Sequence, residues 1–151
     1  MTTPHHSSDR TLAPQTVDLL HLLSRSRSIT DTADYDIIRH HFGPETLTIG
    51  TEPKLFWYGQ INPMNVPKLM MQQGFKPGSF GDLLTYGHKN PEEQKDYPIA
   101  ALGSIVAVNV TTYVACLDGH HWDAGGRVLR LSQQLHSGDW HCVMRYLGVL
   151  A

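Results

Sequence analysis

The sequence predicts an α+β fold: an N-terminal helical hairpin and short helices packed on a C-terminal antiparallel β-meander. Near the N-terminus apolar residues recur at helical spacing, whereas from Ile99 onward β-branched residues recur at alternate positions, as in a half-buried strand. Proline and glycine break the region between them into short pieces. Residues 1–13 are predicted to be a disordered tail, and residues 14–151 a single α+β domain.

Two helices are predicted to form the N-terminal hairpin. The first runs from Gln15 to about Ser26, where leucines and a valine lie on one approximately helical stripe. The second runs from Asp31 to Gly43, with acidic residues near its start and basic residues near its end. Gly43 followed by Pro44 is typical of a helix end.

A short β-hairpin is predicted next, followed by a short helix. Residues 46–49 and 54–58 carry β-branched and aromatic side chains on either side of a turn sequence. The helix begins after Asn65 as its cap, has Pro67 near its first position and ends at Gly74.

Two more helices are predicted before the strands begin. Ser79 and Asp82 have the spacing of a capping box, with aspartate in place of the usual glutamate, and this helix ends at Gly87. A brief helix begins at Asn90 and ends before Pro98. The centre of the chain is therefore predicted to be a series of short helices and turns.

The C-terminal part is predicted to be a three-stranded antiparallel meander. Its first strand contains the alternating valines up to Cys116, and the second and third span 128–135 and 140–150. The third strand would end the sheet as an apolar edge. An exposed apolar edge favours pairing, so a homodimer through this strand is predicted as well.

The register of this meander predicts where the two cysteines lie. Placing the leucines of the second strand on the same face as the valines sets Cys116 opposite Leu129. Cys142 would then lie roughly 16 Å from Cys116, from the usual rise and strand spacing. A disulfide needs Cα atoms within roughly 7 Å, so none is predicted.

Composition argues against some classes of function. Twelve basic and fourteen acidic residues give a net charge of -2, without the basic cluster that is typical of nucleic-acid binding. No apolar run approaches the roughly 20 residues of a membrane helix. Two cysteines and the absence of a signal-like N-terminus predict a cytoplasmic protein.

The sequence "DGHHWDAGG" at 118–126 raises the question of a metal site. His120, His121 and Asp123 could bind a transition metal such as zinc, which would make the protein a metal-dependent hydrolase. Adjacent histidines usually point apart, so a solvent-exposed loop between strands is the simpler interpretation. Neither CxxC nor HExxH spacing occurs, and no cofactor is predicted on that interpretation.

The aromatic run after Leu55 is the strongest sign of an interaction surface. Neighbours in a strand point to opposite faces, so three consecutive aromatics cannot all face one core. We therefore predict a small non-enzymatic module that binds another protein, as a bacterial or viral accessory or inhibitor protein. A third hypothesis is single-stranded nucleic-acid binding on the same rings. The predicted partner-binding residues are Phe56, Trp57, Tyr58, Met64 and Trp122.

Overall fold

The computed structural model of the protein describes residues 14–17, 45–48, 52–119, 127–132 and 144–151. Two α-helices, two 3₁₀ turns and eight strands lie in these ranges. The helices are α1 (Val66–Gln72) and α2 (Phe80–Lys89), and the 3₁₀ turns are Pro63–Asn65 and Glu93–Lys95. The strands are β1 (Pro14–Val17), β2 (Glu45–Thr48), β3 (Lys54–Phe56), β4 (Phe75–Pro77), β5 (Ile99–Val108), β6 (Thr111–Gly119), β7 (Arg127–Ser132) and β8 (Arg145–Leu150).

The final strand, β8, lies inside a mixed six-stranded sheet. It pairs antiparallel with β3 and with β4, and parallel with β5. The sheet continues from β5 through β6 to β7, both antiparallel, in the order β3-β8-β5-β6-β7. A separate two-stranded sheet is formed by β1 and β2, and β2 lies beside α2.

A close backbone contact ties β4 to the centre of the large sheet. The Gly78 N–H donates to the carbonyl of Leu147, and the Gly103 N–H donates to the carbonyl of Gly78, both at 2.8 Å. Gly103 can reach Gly78 because the β5–β6 ladder is interrupted between Ala101 and Ile105. A Cβ on Gly103 would lie 2.5 Å from the Gly78 oxygen, so only glycine fits at this position.

The same interruption anchors the start of α2. The Ser79 hydroxyl accepts a hydrogen bond from the Asp82 N–H at 3.1 Å, and the Asp82 carboxylate accepts one from the Ser79 N–H at 3.0 Å. This reciprocal pair confirms the predicted capping box. The hydroxyl of Ser104, from β5, accepts a third bond from the Phe80 N–H at 2.8 Å. The helix ends at Lys89, two residues beyond its predicted end.

Both faces of the sheet are covered. Neighbours along a strand point to opposite faces, so successive residues of β5 and β6 enter two different apolar clusters. The cluster beneath α2 consists of Phe80, Leu83, Leu84, Ile99, Ala101, Ala115, Leu117, Leu129, Leu131 and Leu147. The cluster beneath α1 consists of Phe56, Val66, Met70, Ala100, Leu102, Val114, Cys116, Met144 and Tyr146.

The α+β class is confirmed for the described residues, but the predicted meander needs correction. The residues predicted as its first strand form two strands, β5 and β6, joined by a turn in which Asn109 has a φ of 57° and Val110 is fully exposed. Strands β5, β6 and β7 do form an antiparallel meander. Strand β8 does not extend it, because β8 pairs on both sides between β3 and β5. The prediction that this strand is an exposed edge of the sheet is therefore wrong for β8. The argument for a homodimer depended on that edge and does not hold for β8.

The predicted register was also wrong by one residue. Leu129 pairs with Leu117, and Cys116 pairs with Arg130. The prediction assumed one buried face, which would require valines and leucines to share it. Since α1 and α2 cover opposite faces, Leu129 faces one cluster while Cys116 faces the other.

The predicted N-terminal helical hairpin lies almost entirely outside the described residues. At the predicted start of its first helix, Pro14–Val17 is a strand. Residues 1–13 lie outside them as well. The strand predictions at 46–49 and 54–58 overlap β2 and β3, but the predicted hairpin is wrong, because β2 pairs with β1 and β3 with β8. The predicted helix after Asn65 is confirmed as α1, although the side chain that caps this region is that of Asn62, which accepts from the Met64 N–H.

The contact at Gly103 yields a test of the fold. Gly103→Ala is expected to destabilise the protein by about 1–3 kcal/mol, because its methyl group would overlap backbone atoms that cannot move without breaking the Gly78 bridge. Gly119→Ala is the matched control, because a Cβ there meets its nearest atoms at 3.4 Å. Urea denaturation of both variants measures the difference. Equal free energies of unfolding would contradict the constraint.

Candidate functional site

The aromatic run at the end of β3 divides between the core and the surface. Phe56 is buried, stacks on Tyr58 with ring centroids 6.1 Å apart, and meets Phe75 edge-on at 5.1 Å. Tyr58 is half-buried, and burial raises the pKa of its phenol. Trp57 points to the other face and is 61% exposed. The run therefore contributes one exposed ring, as alternation along a strand requires.

Trp57 lies against a cation from the centre of the sheet. The guanidinium carbon of Arg145 is 5.2 Å from the centroid of the Trp57 ring and 4.5 Å from that of Tyr97. Strand pairing produces this arrangement. Phe56 pairs with Tyr146 in antiparallel strands, so the next residue, Trp57, lies across from Arg145. The backbone N–H of Arg145 also donates to the carbonyl of Pro98, the residue after Tyr97, at 2.8 Å. We call Trp57, Arg145 and Tyr97 the Trp57 surface.

Carboxylates act on two tyrosines on this side of the sheet, Tyr86 and Tyr97. Glu93 accepts a hydrogen bond from the Tyr86 hydroxyl, and burial together with this bond raises the pKa of that phenol. Burial also raises the pKa of Tyr97. The carboxylates of Glu93 and Asp96 add to this rise, while Arg145 opposes it. The charge of Glu52 also contributes to the raised pKa of Tyr86.

Two ionisable groups lie in the other cluster, beneath α1. Burial raises the pKa of the Cys116 thiol to about 12 and that of the Tyr146 phenol to about 12. Cys116 is a free cysteine whose side chain is fully buried in this cluster. A buried thiol with a raised pKa forms little thiolate, so Cys116 is poorly suited to act as a nucleophile.

The loop at 118–126 is described only at its start. The Asp118 carboxylate is held by Arg130 across the β6–β7 pair, at 2.7 Å to Nη2 and 2.9 Å to Nε. The predicted metal ligands His120, His121 and Asp123, and Trp122 between them, lie outside the described residues. Among the residues that are described, no group of three or more His, Cys, Asp and Glu could hold a metal ion.

The predicted partner-binding residues that the structure describes, Phe56, Trp57, Tyr58 and Met64, do not form one surface. Met64 is 48% exposed, but it lies in the 3₁₀ turn that leads into α1, the helix over the face opposite Trp57. Phe56 lies in the core. Trp57 is joined instead by Arg145 and Tyr97, which the sequence prediction missed. No local signal could have identified them, because they reach Trp57 only through the pairing of β3, β8 and the start of β5.

Comparison of the chain with protein-family models, with curated proteins and with solved structures finds no match in any of the three. The site must therefore be interpreted from its own chemistry. In the described part of the chain, neither α1 nor α2 has the length and apolar character needed to cross a membrane.

The raised pKa of Tyr146 predicts sensitivity to alkali. An unfolded tyrosine releases its proton near pH 10, whereas Tyr146 holds it up to about pH 12 in the folded protein. Its contribution to stability is therefore fully present below pH 10 and is lost as the pH rises through about 12. In Tyr146→Phe the free energy of unfolding should fall less steeply over this range, by at most about 1.4 kcal/mol per pH unit, the value for one proton.

Urea denaturation of both proteins at a series of pH values between neutrality and pH 12 measures this difference. Below pH 10 the two proteins should show the same pH dependence, which serves as the internal control. Parallel curves above pH 10 as well would contradict the assignment to Tyr146.

Proposed function

We propose that this protein is a small non-enzymatic protein-binding module whose contact surface is centred on Trp57. The observation that carries the proposal is the 61% exposed Trp57 ring with the Arg145 guanidinium 5.2 Å from its centroid. Tryptophan and arginine are the residue types most enriched at the energetic centres of protein interfaces. A role as an accessory or inhibitor protein in a cytoplasm is part of this proposal.

The Trp57 surface is also well ordered for binding. Arg145 belongs to β8, which is paired on both sides, and its side chain lies near both Trp57 and Tyr97. A side chain that is already held in place loses little conformational entropy when a partner binds. This supports Trp57 as a preorganised anchor in preference to a mobile surface ring.

The surrounding charge favours a protein partner over single-stranded nucleic acid. Asp96 is exposed and directly precedes Tyr97 of the Trp57 surface, and its carboxylate would repel a phosphate backbone. Nucleic-acid stacking proteins normally combine aromatic rings with a basic groove. The other hypothesis, a metal-dependent hydrolase using His120, His121 and Asp123, stays a prediction on residues outside the described ranges.

Partner capture from the native host tests the proposal. Tagged wild-type protein is compared with Trp57→Ala, and the amount of each co-purifying protein is quantified. Loss of a central tryptophan should reduce capture of the true partner about tenfold or more. The fold should persist, since most of the Trp57 side chain is already in solvent.

Met71→Ala provides the matched control. Met71 is 58% exposed on α1, over the other face of the sheet, so its removal should leave capture unchanged. Undiminished capture by folded Trp57→Ala, or an equal loss in both variants, would rule out a surface centred on Trp57.

A further inference from the structure

The second half of β5 extends beyond the strand that lies beside it. β5 pairs with β8 near its start, and the Gly103 N–H then donates to the carbonyl of Gly78. Beyond Ser104, the backbone of β5 pairs with β6 alone within the part of the chain that the structure describes. We call residues 105–113 the outer ribbon. Its β5 strand is paired on one side.

The turn of the outer ribbon fixes which backbone groups of β5 are directed outward. A two-residue turn joins Val108 to Thr111. The residues that close such a turn form a hydrogen-bonded pair, and bonded and non-bonded pairs then alternate along an antiparallel ladder. The N–H and C=O groups of Ile105 and Ala107 are therefore directed away from β6, along the outer edge of β5.

The side chains of this edge are apolar and uncharged. Residues 105–113 contain no Asp, Glu, Lys, Arg, His or Pro. Val106 is half-buried against the cluster beneath α2, whereas Ile105 is 47% exposed and Ala107 is exposed as well. Sheet edges are usually protected from pairing with another chain by charges, prolines or bulges, and the irregularity of β5 lies before Ile105. The edge is therefore open to an added strand.

From this geometry we infer that the outer edge of β5 pairs antiparallel with the same edge of a second copy of this chain. A two-fold axis at Val106 would place Ile105 of each copy beside Ala107 of the other, so that their outward N–H and C=O groups bond across the interface. A large side chain then lies beside a small one in both pairs.

The absence of charge favours a second copy as the occupant. A symmetric contact brings each residue close to its own counterpart, so a charged edge would repel itself. The outer ribbon has no charge to repel, and its edge offers its own copy the same spacing of donors and acceptors. The contact uses no residue of the Trp57 surface, so it goes beyond the proposed function.

A contact this short forms a weak dimer. Two bonded pairs supply about four N–H···O bonds. The area is below that of a standard stable interface, and we expect a dissociation constant on the order of 0.1 mM.

Sedimentation velocity at about 0.01 to 1 mM protein tests the inference, because this range spans the expected dissociation constant. The wild-type protein should change from monomer to dimer. Ile105→Lys should weaken association about tenfold or more, since two lysines approach each other across the axis. Met71→Lys is the matched control, because it adds the same charge at another exposed apolar position, 58% exposed on α1, and it should associate as the wild type does.

A mixture of two variants tests the pairing of Ile105 with Ala107. Ala107→Glu alone should associate as poorly as Ile105→Lys, because its carboxylates repel across the axis. An equimolar mixture of the two should form a dimer again, because lysine then lies opposite glutamate. Circular dichroism checks that each variant is folded.

Amide hydrogen exchange provides a readout that needs no variant. The N–H groups of Ile105 and Ala107 should exchange more slowly at about 1 mM than at about 0.01 mM, because they become hydrogen-bonded in the dimer. Exchange in α1 should not depend on concentration.

The outcomes decide between self-pairing and other occupants. If the wild type stays monomeric throughout, if Met71→Lys weakens association as much as Ile105→Lys, or if the mixture of folded variants stays monomeric, self-pairing of β5 is overturned. If the wild type is monomeric and Ile105→Lys loses a protein captured from the host, the edge binds a strand of another protein and the second copy is ruled out. The proposed function is judged separately by capture with Trp57→Ala.

Discussion

The fold depends on the backbone pairing of β8 along both of its edges. This strand joins β3, β4 and β5, which are formed by distant parts of the chain, so the sheet is complete only when residues 145–150 take their place within it. Gly148 makes the pairing compatible with the core, since a Cβ there would lie 2.6 Å from the Phe56 ring. Closing contacts across such separations carries an entropic cost that the packing on both faces must offset.

Coverage of both faces explains the character of the central strands. Residues 98–117 contain no Asp, Glu, Lys, Arg or His. This composition suits β5 and β6, because the sheet is covered on both faces where Ile99–Leu102 and Val114–Leu117 are buried. The sheet also positions the start of α2. Gly78 bridges β8 and β5, and the next residues, Ser79 and Phe80, begin α2. The interruption in β5 thus links the sheet to the helix above it.

The Trp57 surface is a consequence of the same pairing. Its three side chains come from the end of β3, from β8 and from the residues before β5, and none is close to another in sequence. Burying Phe56 turns Trp57 outward, and placing β8 beside β3 brings Arg145 under its ring. Glu93 and Asp96, whose charges act on Tyr97, belong to the 3₁₀ turn before β5 and to its C-cap.

The sequence by itself determined the features that depend on neighbouring residues. These are the capping box of Ser79 and Asp82, the position of α1, and the rule that Phe56 and Trp57 face opposite ways; hydrogen bonds and sterics within a few residues are sufficient to specify them. Only the tertiary structure decided the place of β8, the pairing of Leu129 with Leu117, and the contact of Arg145 with Trp57. A sheet buried on both faces gives no polar alternation to select a register, so strand partners are chosen by packing between distant segments.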